Sequence, residues 1–172
     1  MTGVFLALSP DDEARTAIDR LNRSADLPDG RLMPAENLHM TLRYLGTVPP
    51  AAIICVEAEL AGTAMPAFTL ALDYVDWYRR ARVVWIGCRN PPQALLDLVN
   101  HCDAIAARCG MPPRDRPFQP HCTLRRKVRL PPPDRAVPPI LWKASTLCLF
   151  RSEPLEQGVR YRELCRSKLS DD

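Results

Sequence analysis

The chain has 172 residues, 47% of them apolar, enough for one compact core and too little for two full domains. Its 23 Lys and Arg against 20 Asp and Glu leave a formal net charge of +3, which is compatible with a polyanionic ligand without demanding one. No stretch approaches the roughly twenty apolar residues that a membrane-spanning helix needs. The first apolar run, Val4 to Leu8, is followed by Asp11, Asp12 and Glu13, the wrong flank for an export signal. Seven cysteines, an odd number with no C-x-x-C spacing, indicate neither a disulfide framework nor a zinc ribbon, so the expectation is a reduced cytoplasmic protein with mostly buried thiols.

In chain order, residues 3–8 read as a strand. Ser9, Pro10, Asp11 and Asp12 then read as a helix start, with a side-chain oxygen at the cap, Pro at the first helical position and acids at the positive end of the dipole. Ala14, Ile18 and Leu21 form that helix's apolar stripe. A turn-rich loop through Pro28-Asp29-Gly30 and Pro34 leads to a strand over 38–45, and Pro49-Pro50 opens a helix carrying Ile53, Val56 and Leu60. Alternation over 68–75 and the run 83–86 give a strand pair joined by the basic turn 79–82. A helix beginning at Asn90-Pro91 repeats Leu95, Leu98, Val99, Cys102, Ile105 and Ala106 and stops at Gly110. After a proline-rich loop come a strand from His121 to about Val128, a break at 131–133, and strands near 145–150 and 159–165. This order implies an α+β fold: antiparallel sheets flanked by helices around a central cleft, with residues 1–172 forming a single domain of two lobes.

The chemistry is concentrated in the histidines. Two of three share one tetrapeptide form, His39-Met40-Thr41-Leu42 and His121-Cys122-Thr123-Leu124, each after a helix and a proline-containing loop. On a strand, His and Thr project together while Met40, Leu42, Cys122 and Leu124 point into the core, so each motif offers an imidazole beside a hydroxyl on a rigid support. Two groups titrating near neutrality on opposite sides of a reacting centre can deprotonate a nucleophile and protonate a leaving group, and hydroxyls and guanidiniums can hold phosphate oxygens. A single such motif would more often be a packed histidine; its duplication favours catalysis. No third histidine or carboxylate cluster joins the pair, so a metal site is not expected. His101 reads as a boundary residue, and Cys122 points inward by parity and is not a candidate nucleophile.

Glu36-Asn37-Leu38-His39-Met40-Thr41-Leu42-Arg43-Tyr44-Leu45-Gly46 and Phe118-Gln119-Pro120-His121-Cys122-Thr123-Leu124-Arg125-Arg126 resemble the paired H-x-T-x motifs of the two-histidine phosphoesterase superfamily. Within it they most resemble the RNA 2',3'-cyclic phosphodiesterases, also called 2'-5' RNA ligases. Supporting similarities are Val4-Phe5-Leu6-Ala7-Leu8, Val84-Trp85-Ile86-Gly87, Leu149-Phe150-Arg151-Ser152 and Gly158-Val159-Arg160-Tyr161. The resemblance implies one H-x-T-x strand per lobe and hydrolysis of 2',3'-cyclic phosphate ends of RNA or nucleotides to 2'-phosphates, without cofactor, metal or membrane, by a monomer. It also implies that His39 protonates the departing 3' oxygen, that His121 activates water, and that Thr41, Thr123 and Arg126 bind the phosphate. Strict strand parity instead puts Arg125 on the side of His121, so Arg126 reaches the cleft only if a bulge re-aims it. Tyr44 and Phe118 are candidates to stack on a terminal base, with core packing as the competing role. Competing functions are a phosphodiesterase of small cyclic nucleotides, ADP-ribose cyclic phosphate or 2'-5' oligonucleotides, and a non-catalytic RNA-binding relative.

Overall fold

The computed structural model describes residues 2–133 and 135–170. Its elements run β1 (Val4–Leu8), α1 (Asp12–Asn22), β2 (Arg31–Leu32), a 3₁₀ turn (Ala35–Asn37), β3 (Met40–Gly46), α2 (Pro50–Ala61), β4 (Phe68–Tyr78), β5 (Val83–Gly87), α3 (Gln93–Arg108), β6 (Cys122–Arg126), β7 (Ala136–Ala144), β8 (Thr146–Leu155) and β9 (Gly158–Lys168). Helix α1 starts two residues later than the Ser9-Pro10 pattern implies. Asp11 is the cap, its carboxylate accepting from the Ala14 N–H at 2.8 Å, and Asp12 and Glu13 occupy the first turn. Helix α2 has Pro50 at its first position as expected, and the chain leaves α3 through Gly110 at φ 80°, a conformation natural to glycine.

The strands pair antiparallel in the order β7-β4-β5-β6-β3-β1-β8-β9, with β2 added beside β6. The expected separate sheets are therefore one sheet. Its two four-stranded halves meet at a narrow seam, where β3 and β6 pair only through Met40 and Cys122. Strand β7, in a stretch where no strand was expected, contains Pro138 and Pro139. It lies at the sheet edge, where a missing N–H costs no ladder bond on the open side.

All three helices bury their apolar stripes on the same face: Ile18, Leu60 and Leu98 share one core with Leu6, Met40 and Leu124. Strand β1 is buried along its whole length because its alternate side chains serve two clusters. Val4, Leu6 and Leu8 enter the helix-covered core, while Phe5 and Ala7 join Cys148 and Phe150 on the opposite face, with Tyr161 against them.

One expectation about sulfur is overturned. Cys55 of α2 and Cys109, the residue capping α3, form a disulfide across 54 positions of sequence. They meet because α2 and α3 lie side by side on the sheet, a tertiary neighbourhood that counting and spacing of cysteines cannot reveal. Cys88, Cys102, Cys122 and Cys148 are buried thiols, as the sequence implied, and Cys165 is half-buried. Among the described residues no helix is long and apolar enough to cross a membrane.

Candidate active site

The site sits on the face of the sheet opposite the helices, at the seam. Each motif enters from a loop as its strand begins, and each strand then breaks its alternation at the same place. In β3, Thr41 pairs with Ala7 and Arg43 with Leu6, so Leu42 is an extra, unpaired residue. In β6, Thr123 pairs with Trp85 and Arg125 with Val84, so Leu124 is the extra residue. A bulge shifts the parity of everything after it. Leu42 and Arg43, like Leu124 and Arg125, are therefore consecutive buried residues, and the next position swings back to the open face. That position is Tyr44 in one motif and Arg126 in the other.

Both imidazoles are oriented from behind by a backbone carbonyl two residues upstream. The Nδ1–H of His39 donates to the Asn37 carbonyl at 2.6 Å, and that of His121 donates to the Gln119 carbonyl at 2.8 Å. A carbonyl can only accept, so the neutral rings carry their proton on Nδ1 and leave Nε2 to take or give a proton. The Nε2 of His39 accepts from the Thr41 hydroxyl at 3.0 Å. Asn37 is itself fixed: its side-chain amide donates to the Val159 carbonyl at 2.7 Å and accepts from the Tyr161 N–H at 3.1 Å, which ties the turn before His39 to β9.

The rings differ in their surroundings. His39 lies 5.0 Å from the Phe5 ring and 4.8 Å from Tyr161, the latter edge-on, with Phe150 beyond. This burial pushes its pKa down to about 4, against the opposing effect of the Asn37 hydrogen bond, and the positive charges of His121 and Arg126 push the same way. His121 is flanked edge-on by Tyr78 at 5.4 Å and Trp85 at 5.9 Å. Burial lowers its pKa too, opposed by the Gln119 hydrogen bond and reinforced by Arg126.

His39, Thr41, His121, Thr123 and Arg126 line one cavity of about 200 Å³, bordered by Phe5, Tyr44 and Tyr161. The parity problem of Arg126 is solved by the Leu124 bulge. Arg125 is instead turned into the protein, where its guanidinium donates to the carbonyls of Asn22, Ser24, Leu27 and Pro28. Arg43 behaves alike: it is buried, donates to the Pro112 carbonyl and lies 3.6 Å from Asp103. Tyr44, with core packing as its competing role, is 60% exposed at the mouth of the cavity. Phe118 is half-buried beneath the Arg114 guanidinium and lines the adjoining groove. Cys122 is fully buried, its thiol pushed up to about 12, and does not face the cavity. His101 stands apart, paired with Thr63 at 3.1 Å.

Sequence reasoning missed three supports. Asn37 and Tyr161 hold and enclose His39; both lay inside quoted motifs without a role of their own. Gly87 lies so close to the Pro120 carbonyl that any Cβ there would collide with it, and Pro120 is the residue that presents His121. The arrangement as a whole supplies two proton-transfer nitrogens, two hydroxyl donors and one fixed positive charge around a space the size of a phosphate and a sugar.

The profile of the 2'-5' RNA ligase superfamily matches residues 10–154. An Escherichia coli K12 relative named RNA 2',3'-cyclic phosphodiesterase is 38% identical over 135 residues, 76% of this chain and 77% of the relative. The crystal structure of E. coli LigT in apo form is similar with a TM-score of 0.83 at 32% identity, covering 99% of this chain and 98% of that one. LigT complexed with 3'-AMP gives a TM-score of 0.82 at 31% identity over 99% of both chains. Sequence and fold agree over the stretch that holds every element from α1 to β8, and the chain belongs to the 2'-5' RNA ligase superfamily.

Proposed function

We propose that this protein is an RNA 2',3'-cyclic phosphodiesterase that opens the ring with water to leave a 2'-phosphate and a free 3'-hydroxyl. The observation that carries the reading is the convergence of His39 and His121, each held through Nδ1, on one cavity with Thr41, Thr123 and Arg126. His121 Nε2 takes a proton from water as the oxygen attacks phosphorus. The bond from phosphorus to O3' breaks, and His39 Nε2 delivers a proton to O3'. The two threonine hydroxyls and Arg126 hold the non-bridging oxygens as charge grows on them, a role that needs no metal or cofactor. Tyr44, at the mouth of the cavity, and Phe118, on the adjoining groove, are the rings on which a terminal base would stack. A single chain contains the whole constellation, and the reading is of a monomer acting in the cytoplasm.

The E. coli relative's name and the complex of LigT with 3'-AMP support this substrate class. Incubating the protein with a cyclic-phosphate oligonucleotide in the presence of a chelator is expected to yield only the 2'-phosphate. Inhibition by the chelator that a divalent ion reverses would replace this mechanism with a metal-dependent one.

The low pKa of His39 favours a second assignment of roles. A ring neutral through most of the pH range is ready to act as the base, which would make His121 the acid. A substrate with sulfur at the bridging 3' position separates the two, because a thiolate leaves without protonation. Rescue of His39→Ala by that substrate assigns the acid to His39, and rescue of His121→Ala assigns it to His121.

A further inference from the structure

A groove of about 960 Å³ opens from the reacting cavity, sharing Thr41, Tyr44 and His121 with it. One wall is the turn between β4 and β5, the other the loop that precedes His121. Tyr44, Tyr78 and Phe118 are among the aromatic side chains that line the groove, and Arg79, Arg80 and Arg116 are among its guanidiniums. Arg79 and Arg80 are exposed and have no ion-pair partner among the described residues. Arg116 is 88% exposed with Asp115 at 4.0 Å, the outer limit of an ion pair. The other carboxylate on the groove, Asp76, is already paired with Arg135 at 3.1 Å.

On the cyclic-phosphate reading, the cavity beside the histidines takes the phosphate and its ribose, and a chain attached to them must leave through an opening. Flat rings interleaved with unpaired cations are what unstacked bases and their phosphates require. We propose that this groove binds the nucleotides immediately 5' of the cyclic end, so that the enzyme selects single-stranded RNA over a cyclic mononucleotide. The proposal rests on the cyclic-phosphate reading of the site and adds the strand that carries the phosphate. Unpaired bases are needed because a duplex would keep its rings stacked inside and out of reach of Tyr44 and Phe118.

The test compares 2',3'-cyclic AMP with a tetranucleotide ending in a 2',3'-cyclic phosphate, on the wild type and on Arg79→Ala/Arg80→Ala. The wild type is expected to show a KM about tenfold lower for the tetranucleotide, the effect of one well-stacked base. The double variant should lose most of that advantage while its kcat/KM for cyclic AMP stays within about twofold, a change as small as surface substitutions usually cause. Binding of a tetranucleotide ending in a 2'-phosphate, followed by anisotropy, should show a log-log salt slope shallower by about 1.4 in the double variant, about 0.7 for each lost phosphate contact. Equal KM values for the two substrates in the wild type would overturn the proposal, as would an unchanged salt slope. A protein that binds the tetranucleotide with the arginine-dependent slope yet opens neither cyclic phosphate would keep the groove and remove the catalytic reading instead.

Discussion

Segments 39–44 and 121–126 match in His, Thr, a bulged Leu and a buried Arg, and in the carbonyl that holds each ring from behind, yet they give their histidines unlike surroundings. His39 sits among Phe5, Tyr161 and Phe150, with Thr41 on its working nitrogen. His121 lies between Tyr78 and Trp85 at the head of an open groove. Matched backbones thus fix where both nitrogens point, and unmatched neighbours set how each ring holds a proton, with His39 pushed down to about 4 and His121 lowered as well. That inequality bears on which ring gives a proton and which takes one, because the ring that holds its proton less well is the readier base. The difference also extends to the sixth position, where Arg126 brings charge to the phosphate and Tyr44 brings a flat ring to the exit.

The buried arginines show a second relation between the halves. Arg43, from the first motif, holds the Pro112 carbonyl in the loop that delivers His121, and Arg114 of that loop returns a bond to the Leu42 carbonyl at 3.2 Å. Asp103 neutralises this pair, 3.6 Å from Arg43 and 2.8 Å from Arg114. Arg125, from the second motif, gathers four carbonyls of the 22–28 segment that leads toward His39. Each motif therefore restrains the approach to the other. The seam itself is a single residue pair, so these crossed arginines do much to keep the two histidines in register.

The comparison breaks most completely if one imidazole is removed. His39→Ala and His121→Ala are each expected to cut kcat by about 10³-fold, within the range of general acid or base catalysis, with folding retained. The double variant should be little worse than either, because the two protons move in one transition state. Losses that multiply would assign the residues to separate steps. Next in size are the crossed arginines. Arg125→Ala strands several carbonyls that accept charged hydrogen bonds, and a stability loss of about 3 kcal/mol is expected by urea unfolding. The sharper reading is spectroscopic: Arg43→Ala should disturb the ring resonances of His121 more than those of His39, and Arg125→Ala the reverse. Each variant disturbing its own histidine more would refute the crossing.

Much of this could be read in the chain before folding. The alternation of His39 and Thr41 over Met40 and Leu42, and of its counterpart over Cys122 and Leu124, placed both motifs on the correct face because a strand's period leaves no choice. Arg126 was harder. Parity pointed to Arg125, and only the ladder registers reveal that Leu124 is unpaired. Tyr44 follows the same rule past Leu42, which explains how an aromatic next to the buried Arg43 comes to be exposed. Strand β7 was hidden by Pro138-Pro139, whose usual meaning changes at a sheet edge. The Cys55–Cys109 pair and the crossed arginines depend on which distant segments become neighbours, and no local pattern records that.

A smaller effect isolates the support of one histidine. Gly87 allows the Pro120 carbonyl to approach β5, and a methyl group at that position must push Pro120 away. Backbone cannot yield as a flexible side chain does, so His121 moves with it. Gly87→Ala is expected to lower kcat about tenfold, less than the 10²-fold that a full 1 Å displacement can cost. A variant with full activity and an unmoved His121 ring would show that the loop absorbs the shift elsewhere. Among the described residues no glycine makes a comparable close approach behind His39, which is held by Asn37 and Tyr161 instead.

The finest distinction is the pKa difference between the rings. Burial lowers both, His39 to about 4, so in the free protein His39 should titrate near pH 4 and His121 below the ordinary histidine range. The pH profile of kcat/KM reports the free enzyme, so its acid limb should lie near 4 and its alkaline limb below the ordinary histidine range. If His39 is the acid, the active species carries a proton on the more acidic ring and none on the other, and it is the minor singly protonated form. A bound phosphate changes this balance. Its negative charge between the rings favours imidazolium on both, so both pKa values rise and the limbs of kcat must lie at higher pH than those of kcat/KM. Titration of the His Cε1 protons by NMR, with and without a non-reactive 2'-phosphate nucleotide, measures these values directly. The upward shift should be larger where the phosphate lies closer, and equal titration of the two rings in the free protein would remove the argument for making His39 the base.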